Sequence, residues 1–393
     1  MGIFNLLSKD EKETLEILIK FFRINGIRAY LIGGAVRDGM LNVKPKDIDI
    51  CVEVELIDFI KNIPNVKNIK YYSKFGTSTL EFYNGIKIDI IRCRKEKYEY
   101  YGALPIVKPS NIVDDILRRD FTINSLAYDL IEDKLLDICG GMKDIDNKCI
   151  RTLTSFSYFE DPTRIFRAVR YSGRYKFTII GEEQIRNCLR KGVLSSLSND
   201  RIIKEMLLIS KEDNWVEMCK ICNRIDLIKF NLNFLGRSNY LYNYDNVDLR
   251  ICNIYLSTED LRLKEAIENN SVLPREIKEG LKKFKPFAEK LSKCDSNYQI
   301  YDLLKNLNEI YFMVFAWDRK LIYKVINYKN MQNLKMNIKA KDIMDKGFKE
   351  GKIIGYVLNY IKKVGLNMNM PLSNNYFINN IGEILHGIEN KNK

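Results

Sequence analysis

"YLIGGAVRDGMLNVKPKDIDICVE", residues 30–53, runs from an apolar stretch into two glycines and then places two aspartates one residue apart. Residues i and i+2 of a strand point to the same face. Asp47 and Asp49 are therefore expected on one face of a strand, with Ile48 and Ile50 turned to the core. In "GIKIDIIRC", residues 85–93, Ile86, Ile88 and Ile90 share one face and Asp89 lies on the other. If the two strands are neighbours, three carboxylates converge on one side of one sheet. Like charges so placed repel one another unless a cation sits among them, and oxygen ligands suit Mg²⁺. Two such ions clamp the attacking and leaving oxygens of an in-line phosphoryl or nucleotidyl transfer. Any one of these aspartates alone reads as a solvated edge acid.

The glycines fit the same chemistry. A strand–Gly-Gly–helix turn lets backbone approach a ligand closely, and N–H groups at a helix start favour phosphate. Arg37 follows closely and adds a charge-assisted donor. There is no G-x-G-x-x-G and no G-K-[ST], which removes the dinucleotide and P-loop readings.

The whole chain narrows the choice further. Its 393 residues suffice for two or three domains, and 46% hydrophobic with 29% charged residues is ordinary globular composition. The net charge of +13 and pI near 9.1 suggest a polyanionic partner, nucleic acid first. Nine scattered cysteines read as reduced thiols of a cytoplasmic protein. Cys219 and Cys222 lack a second ligand pair and read as helical core residues. The only histidine is His386, so histidine-based acid–base or metal chemistry is not expected. The longest strongly apolar run, residues 310–317, is far short of the ~20 residues a membrane span needs.

Along the chain, "SKDEKETLEILIKFFRING" reads as a first helix, with Ser8 and Glu11 as a capping box and Gly26 as its stop. "IRAYLI", "KDIDICVEV", "STLEF" and "GIKIDIIRC" read as strands. Beyond about residue 153 strand signals nearly vanish, giving an α+β head with a small mixed sheet followed by a helical arm. In "LPREIKEGLKKFKPFAEKLSK", Pro274 suits the first helical turn, and Ile277, Leu281 and Phe284 share a face. The terminal "ENKNK" is expected to fray.

Two further segments carry arginines. "DDILRRDFTINSLAYD" holds Arg118 and Arg119, which beside a phosphate site would clamp a triphosphate or sugar. "FEDPTRIFRAVRY" repeats Arg164, Arg167 and Arg170 every three residues, stacked along one helix flank. Asp161 before Pro162 reads most plainly as a helix cap.

Together these segments resemble the class II tRNA nucleotidyltransferase and bacterial poly(A) polymerase family, and within it the CCA-adding members. "GGAVRD…DID" resembles the family's metal and triphosphate motif, "RRDFTIN" its ribose motif and "LLDICGGMKDI" its hinge motif. "EDPTR" is similar to its nucleotide-templating motif and "LSNDRIIKEM" to the helix that braces it. The order and spacing match over about residues 28–210, and "KAKDIMDKGFKEGKIIGYVLNYI" resembles a C-terminal segment of many members more weakly.

The resemblance implies a polymerase-beta-like head at residues 1–153, a nucleotide-templating helical neck at 154–220, and a tRNA-binding helical body and tail at 221–393. It implies that Asp47 and Asp49 hold the catalytic Mg²⁺, that Gly34, Arg37 and Arg119 contact phosphates and sugar, and that Asp161, Arg164, Arg167 and Arg170 bind the nucleotide. Asp89 as a third catalytic acid is a geometric addition to that pattern. The implied partners are tRNA, CTP and ATP, with no membrane and no obligate protein partner.

A carboxylate only accepts hydrogen bonds and a guanidinium only donates them. Asp161 would take the amino proton of C or A while Arg164 donates to the adjacent ring nitrogen. U and G reverse both polarities there. Two departures from the family pattern concern domain movement: Cys139 replaces an aromatic residue, and Asn199-Asp200-Arg201 stands where Glu-Arg is usual. The nearest rival readings are an A-only enzyme, a CC-only enzyme and a poly(A) polymerase. "RCRKEKYEYYGALPIVKPS" resembles the flexible loop of members that finish with A. A rival of another class is an RNA-binding protein that has lost catalysis.

Overall fold

The computed structural model describes residues 3–73, 76–233, 235, 247–271, 273–307, 320–334, 338–345, 347, 351–369, 379–380 and 382. The apolar run at 310–317, His386 and the terminal "ENKNK" lie outside them. The chain divides into two compact units, residues 1–229 and 230–393.

The first unit is built on eleven short strands among the described residues: β1 Ala29–Ile32, β2 Asp49–Val52, β3 Val66–Tyr72, β4 Thr77–Phe82, β5 Lys87–Arg92, β6 Arg94–Lys97, β7 Ile106–Pro109, β8 Ala127–Asp129, β9 Lys134–Leu136, β10 Cys149–Ile150 and β11 Thr178–Ile179. Seven of them form one mixed sheet in the order β3-β4-β5-β2-β1-β8-β9. Only the β2–β5 pair in it is parallel, and its register sets Asp49 directly beside Asp89. Strand β1 is buried along its whole length, as a central apolar strand must be. β6 and β7 form a separate antiparallel ribbon, and β10 pairs with β11 in parallel.

Helices cover this sheet and continue the chain: α1 Ile3–Leu6, α2 Lys9–Ile24, α3 Gly34–Met40, α4 Ile112–Leu117, α5 Gly141–Asp146, α6 Ser157–Glu160, α7 Thr163–Tyr175, α8 Glu182–Arg190, α9 Asn199–Ser210 and α10 Trp215–Arg224. The predicted capping box is present: Ser8 accepts from the Glu11 N–H, and Glu11 accepts from the Ser8 N–H at 2.6 Å. Such a cap stabilises a helix by about 1 kcal/mol. Leu15, Leu18 and Phe22 form the buried stripe of α2, and Gly26 follows with φ +64°. Cys219 and Cys222 are fully buried core residues of α10. The expected border at residue 220 therefore falls inside α10, whose buried face belongs to the first unit, and the compact unit runs on to Lys229.

All described elements of the second unit are helices: α11 Val247–Ser257, α12 Leu261–Asn269, α13 Arg275–Ser292, α14 Asn297–Leu304, then Ile322–Gln332, Ala340–Met344 and Lys352–Met368. In α13, Pro274 is the N-cap, Ile277 and Leu281 are buried, and Phe284 packs on the cluster around Leu291, Leu304 and Val325. Gly347, Gly351 and Gly355 stand near lysines and suggest phosphate-backbone contacts, the plainer alternative being close helix packing; a Cβ on any of them would meet nothing within 4 Å among the described residues. Gly347 and Gly351 instead supply positive φ ahead of the helix Lys352–Met368.

Candidate active site

A cleft of about 660 Å³ opens in the first unit, a size that suits a small-molecule ligand. Its walls bring together residues far apart in sequence: Gly34, Arg37, Asp47, Asp49, Arg119, Asp161, Arg164 and Arg167 all line it. Of the sequence-predicted residues, Asp89 and Arg170 are absent from its walls.

The carboxylates differ from the expectation in detail. Strand β2 begins only at Asp49, because β1 ends at Ile32, where Gly33 turns the chain away; Asp47 lies in the exposed approach. Ile48 and Ile50 are buried as predicted. Asp89 Oδ1 accepts a hydrogen bond from Thr79 Oγ1, its cross-strand neighbour, at 2.6 Å. That bond draws Asp89 toward β4. Among the described residues no three metal-ligating side chains converge closely enough to enclose an ion. The three-acid cluster is thus an Asp47–Asp49 pair on the cleft wall with Asp89 beside it.

Electrostatics still mark this corner. Burial, then the neighbouring Asp89 and Asp47, push the Asp49 carboxyl up to about 6, against a partial offset from Arg119. Carboxylates that crowd one another in this way hold their charge more readily beside a cation, so the donor set fits Mg²⁺ held by Asp47 and Asp49.

The glycine turn is built for close approach. Gly33 has φ +59°, and a Cβ there would stand 2.5 Å from Arg119 Nη1. Arg37 is nearly fully buried. It donates from Nε and Nη2 to Asp38 Oδ1 at 2.9 and 2.8 Å and from Nη1 to Asn124, and lies over the Tyr171 and Tyr175 rings at 5.0 and 4.9 Å. Tyr175 OH donates to the same Asp38 oxygen at 2.8 Å. The α3 turn and helix α7 are therefore tied together through one arginine.

Helix α7 supplies the opposite wall. Arg164 donates from Nη1 to the buried Ser157 Oγ at 2.7 Å and from Nη2 to the Arg118 carbonyl at 3.0 Å. Arg167 Nε donates to the buried Asp120 Oδ2 at 2.6 Å. Burial alone would raise the Asp120 carboxyl; Arg167 and Asn124 outweigh it and hold it down at about 2. A three-residue spacing drifts by about −60° per step on a helix of 3.6 residues per turn. By Arg170 the row has left the cleft, and its guanidinium meets Glu205 of α9 at 3.2 Å. Tyr171 and Arg174 take its place on the wall.

Asp161 is not the formal N-cap, which is Pro162. Its Oδ1 nevertheless accepts from Thr163 N at 3.1 Å and Thr163 Oγ1 at 2.7 Å, so the expected capping bond exists. Arg201 Nη2 donates to the same oxygen at 2.7 Å, and its Nη1 to the Gly102 carbonyl at 2.9 Å. The arginine within the departing Asn-Asp-Arg stretch thus braces Asp161. Sequence reasoning missed Ser157, Asp120, Asn124, Tyr171 and Tyr175. None of them repeats in a pattern, although Asp120 and Asn124, inside "RRDFTIN", and Tyr171, the last residue of "FEDPTRIFRAVRY", sat in segments already singled out.

Known proteins resemble this chain in sequence and fold. Residues 29–151 match the Poly A polymerase head domain. The chain is 29% identical over 374 residues to an A-adding tRNA nucleotidyltransferase of Aquifex aeolicus, covering 87% of this chain and 45% of that protein. It is 38% identical over 208 residues to an A-adding tRNA nucleotidyltransferase of Geobacter sulfurreducens, covering 51% of this chain and 24% of that one. The chain thus spans about a quarter to a half of the length of these curated relatives. A CCA-adding enzyme solved in an apo form aligns over 98% of this chain and 97% of its own, with TM-score 0.74 and 25% identity. No described helix is long and apolar enough to cross a membrane. The chain belongs to the class II tRNA nucleotidyltransferase and poly(A) polymerase head family.

Proposed function

We propose that this chain adds nucleotides to the 3′ end of tRNA, completing CCA from CTP and ATP with release of pyrophosphate. The observation that carries the reading is one cleft lined by the Asp47–Asp49 pair, by Arg37 and Arg119, and by Asp161 with Arg164. Asp47 and Asp49 would hold Mg²⁺, which when bound stabilises charge on the reacting phosphate and lowers the barrier to hydroxyl attack. Arg119 faces the triphosphate and sugar from beside Gly33, with Gly34 at the start of α3. Arg37, already engaged by Asp38, Asn124 and two tyrosine rings, shapes that wall more than it grips.

Asp161 reads the base amino group through Oδ2, since its three bonds above all end on Oδ1. Arg164, held by Ser157 and the Arg118 carbonyl, donates to the ring nitrogen. Two polar contacts reversed in a desolvated site give discrimination on the order of 10⁴ against U and G. Arg167 supports this wall through Asp120, and Arg170 does so from behind through Glu205. In this reading residues 1–153 form the catalytic head, the helices that follow the templating neck, and the remaining helices the tRNA-binding body and tail. The nine cysteines, none of them in a disulfide, suit a reducing, cytoplasmic setting.

A narrower second reading is addition of the terminal A alone, favoured by the A-adding names of the relatives above. The test is incubation with tRNA ending at the discriminator base, or already at CC, with labelled CTP and ATP separately and mixed. CCA addition predicts CTP incorporation on the first tRNA and a single A after CC. An A-only enzyme leaves the first tRNA untouched, a poly(A) polymerase continues past one A, and a protein that merely binds RNA incorporates nothing.

A further inference from the structure

Asp115 stands behind the cleft wall rather than on it. On α4 its carboxylate is completely buried. Oδ1 accepts from Arg118 Nε at 3.0 Å and Nη2 at 2.7 Å, and from the Arg94 N–H at 3.3 Å. Oδ2 accepts from Arg119 Nη2 at 2.9 Å. One carboxylate therefore fixes two consecutive arginines, both of which line the cleft.

The bonds continue in opposite directions from there. Arg119 donates from Nη1 to the Asn124 carbonyl at 3.2 Å, and the same nitrogen fills the space a Cβ on Gly33 would need. Its charge also acts on Asp49. Arg118 offers its backbone carbonyl to Arg164 Nη2, and its Nη1 donates to Glu96 at 2.9 Å. One branch thus ends at the glycine turn and the aspartates, the other at the arginine assigned to the base.

We propose that Asp115 is a positioning residue that sets Arg119 and Arg164 against each other, so that nucleotide affinity and nucleotide choice both depend on it. This rests on the reading of the cleft as a nucleotide site. The chemistry demands a carboxylate. It accepts on both oxygens, whereas an asparagine of the same shape would turn an N–H₂ toward one of the arginines, donor against donor. The arginine left without its acceptor must move or stay buried and unpaired.

The test uses the full chain and three variants. Asp115→Asn is expected to weaken ATP binding, measured by calorimetry, about tenfold, the worth of one charged hydrogen bond. The ratio of UTP to ATP incorporated on tRNA ending in CC should rise several-fold with it. Asp115→Glu keeps the charge and displaces the oxygens; it should shift both readouts the same way by less, and it serves where the asparagine protein folds poorly. Asp129→Asn is the control for stability alone. Asp129 Oδ1 accepts the Ile131 and Glu132 N–H groups in the turn after β8, away from the cleft, so melting temperature should fall while affinity and ratio hold. If both Asp115 variants behave like that control, the role is overturned. If the unaltered chain neither binds ATP nor extends tRNA, the nucleotide reading of the cleft falls first and this role with it.

Discussion

The two compact units use cations differently. In the first unit the arginines at and behind the cleft are locked onto carboxylates: the Arg118 and Asp115 side chains are 17% and 0% exposed, and Arg167, Arg170 and Arg201 each hold an acid. In the second unit the ion pairs Arg275–Glu279 and Lys305–Asp302 stand in solvent, and Lys362 lies over the Tyr301 ring at 4.5 Å. A guanidinium is a planar fork whose direction can be fixed in advance, whereas an ammonium is a hydrated point charge on a flexible stem. Fixed forks suit a wall that must tell one base edge from another. Loose charges suit a surface that need only attract phosphate, and affinity carried that way should fall steeply with salt.

Mutations can break or sharpen this contrast. The largest effect is expected at the acid pair. Asp49→Ala should lower nucleotide incorporation by orders of magnitude while tRNA binding, followed by gel shift, persists. Near-normal turnover would remove the aspartates from the chemistry.

Next comes the buried arginine lock. Asp120→Asn leaves Arg167 without its anion and should cost roughly 2–3 kcal/mol in urea denaturation, the low side for a buried pair because Arg167 is one-third exposed. The Asp120 carboxyl is held at about 2, below its ordinary value. Its contribution is therefore complete above pH 4 and disappears as pH falls toward 2, and the variant should lack that part of the acid slope. An unchanged slope would mean that the lock is ornamental.

A third measurement turns the sign around. The Asp49 carboxyl is raised to about 6, so it favours the fold while protonated. Metal-free protein should lose stability on the order of 2 kcal/mol as pH climbs from 4 through 6. Added Mg²⁺ should offset the loss in the unaltered chain, and Asp49→Asn should show neither the loss nor the rescue. A flat profile in both would detach the crowded acids from any cation.

The smallest effect tests the second unit. Lys324 Nζ donates to the carbonyls of Leu291, Ser292 and Cys294 at 2.9, 2.7 and 2.7 Å, closing the C-terminal end of α13. Lys324→Met should cost about 1 kcal/mol of stability by thermal melting. Arg275→Ala, at an exposed pair, should leave the melting temperature unchanged. Equal losses at both would erase the distinction between a seated cation and a solvated one.

What could be read from sequence followed periodicity and caps. The α2 capping box, the apolar strands β1, β2 and β5 and the buried cysteines of α10 were legible because each announces itself within a few residues. The ribbon β6–β7 was not, since "RKEK" and "IVKP" offer no alternating apolar face. Asp47 was placed on a strand that begins two residues later, because strand ends depend on where the partner stops. Arg170 was counted with Arg164 from linear spacing, yet the rotation of the helix carries it to Glu205. Asp115 escaped notice altogether: a buried acid joined to three neighbours by their donors leaves no trace in a one-dimensional pattern.

The crowding between Gly33 and Arg119 constrains the order in which this site can change over generations. A methyl group at position 33 collides with the guanidinium and also meets a backbone angle that suits glycine, so the step costs twice if taken first. Shortening Arg119 beforehand removes the collision and leaves only the backbone strain, but it surrenders the cation beside Asp49 in the meantime. Neither single step is neutral, and the double change is milder than the two losses added together. Pairwise mutational scanning should show positions 33 and 119 as a strongly epistatic pair, each keeping the other from drifting.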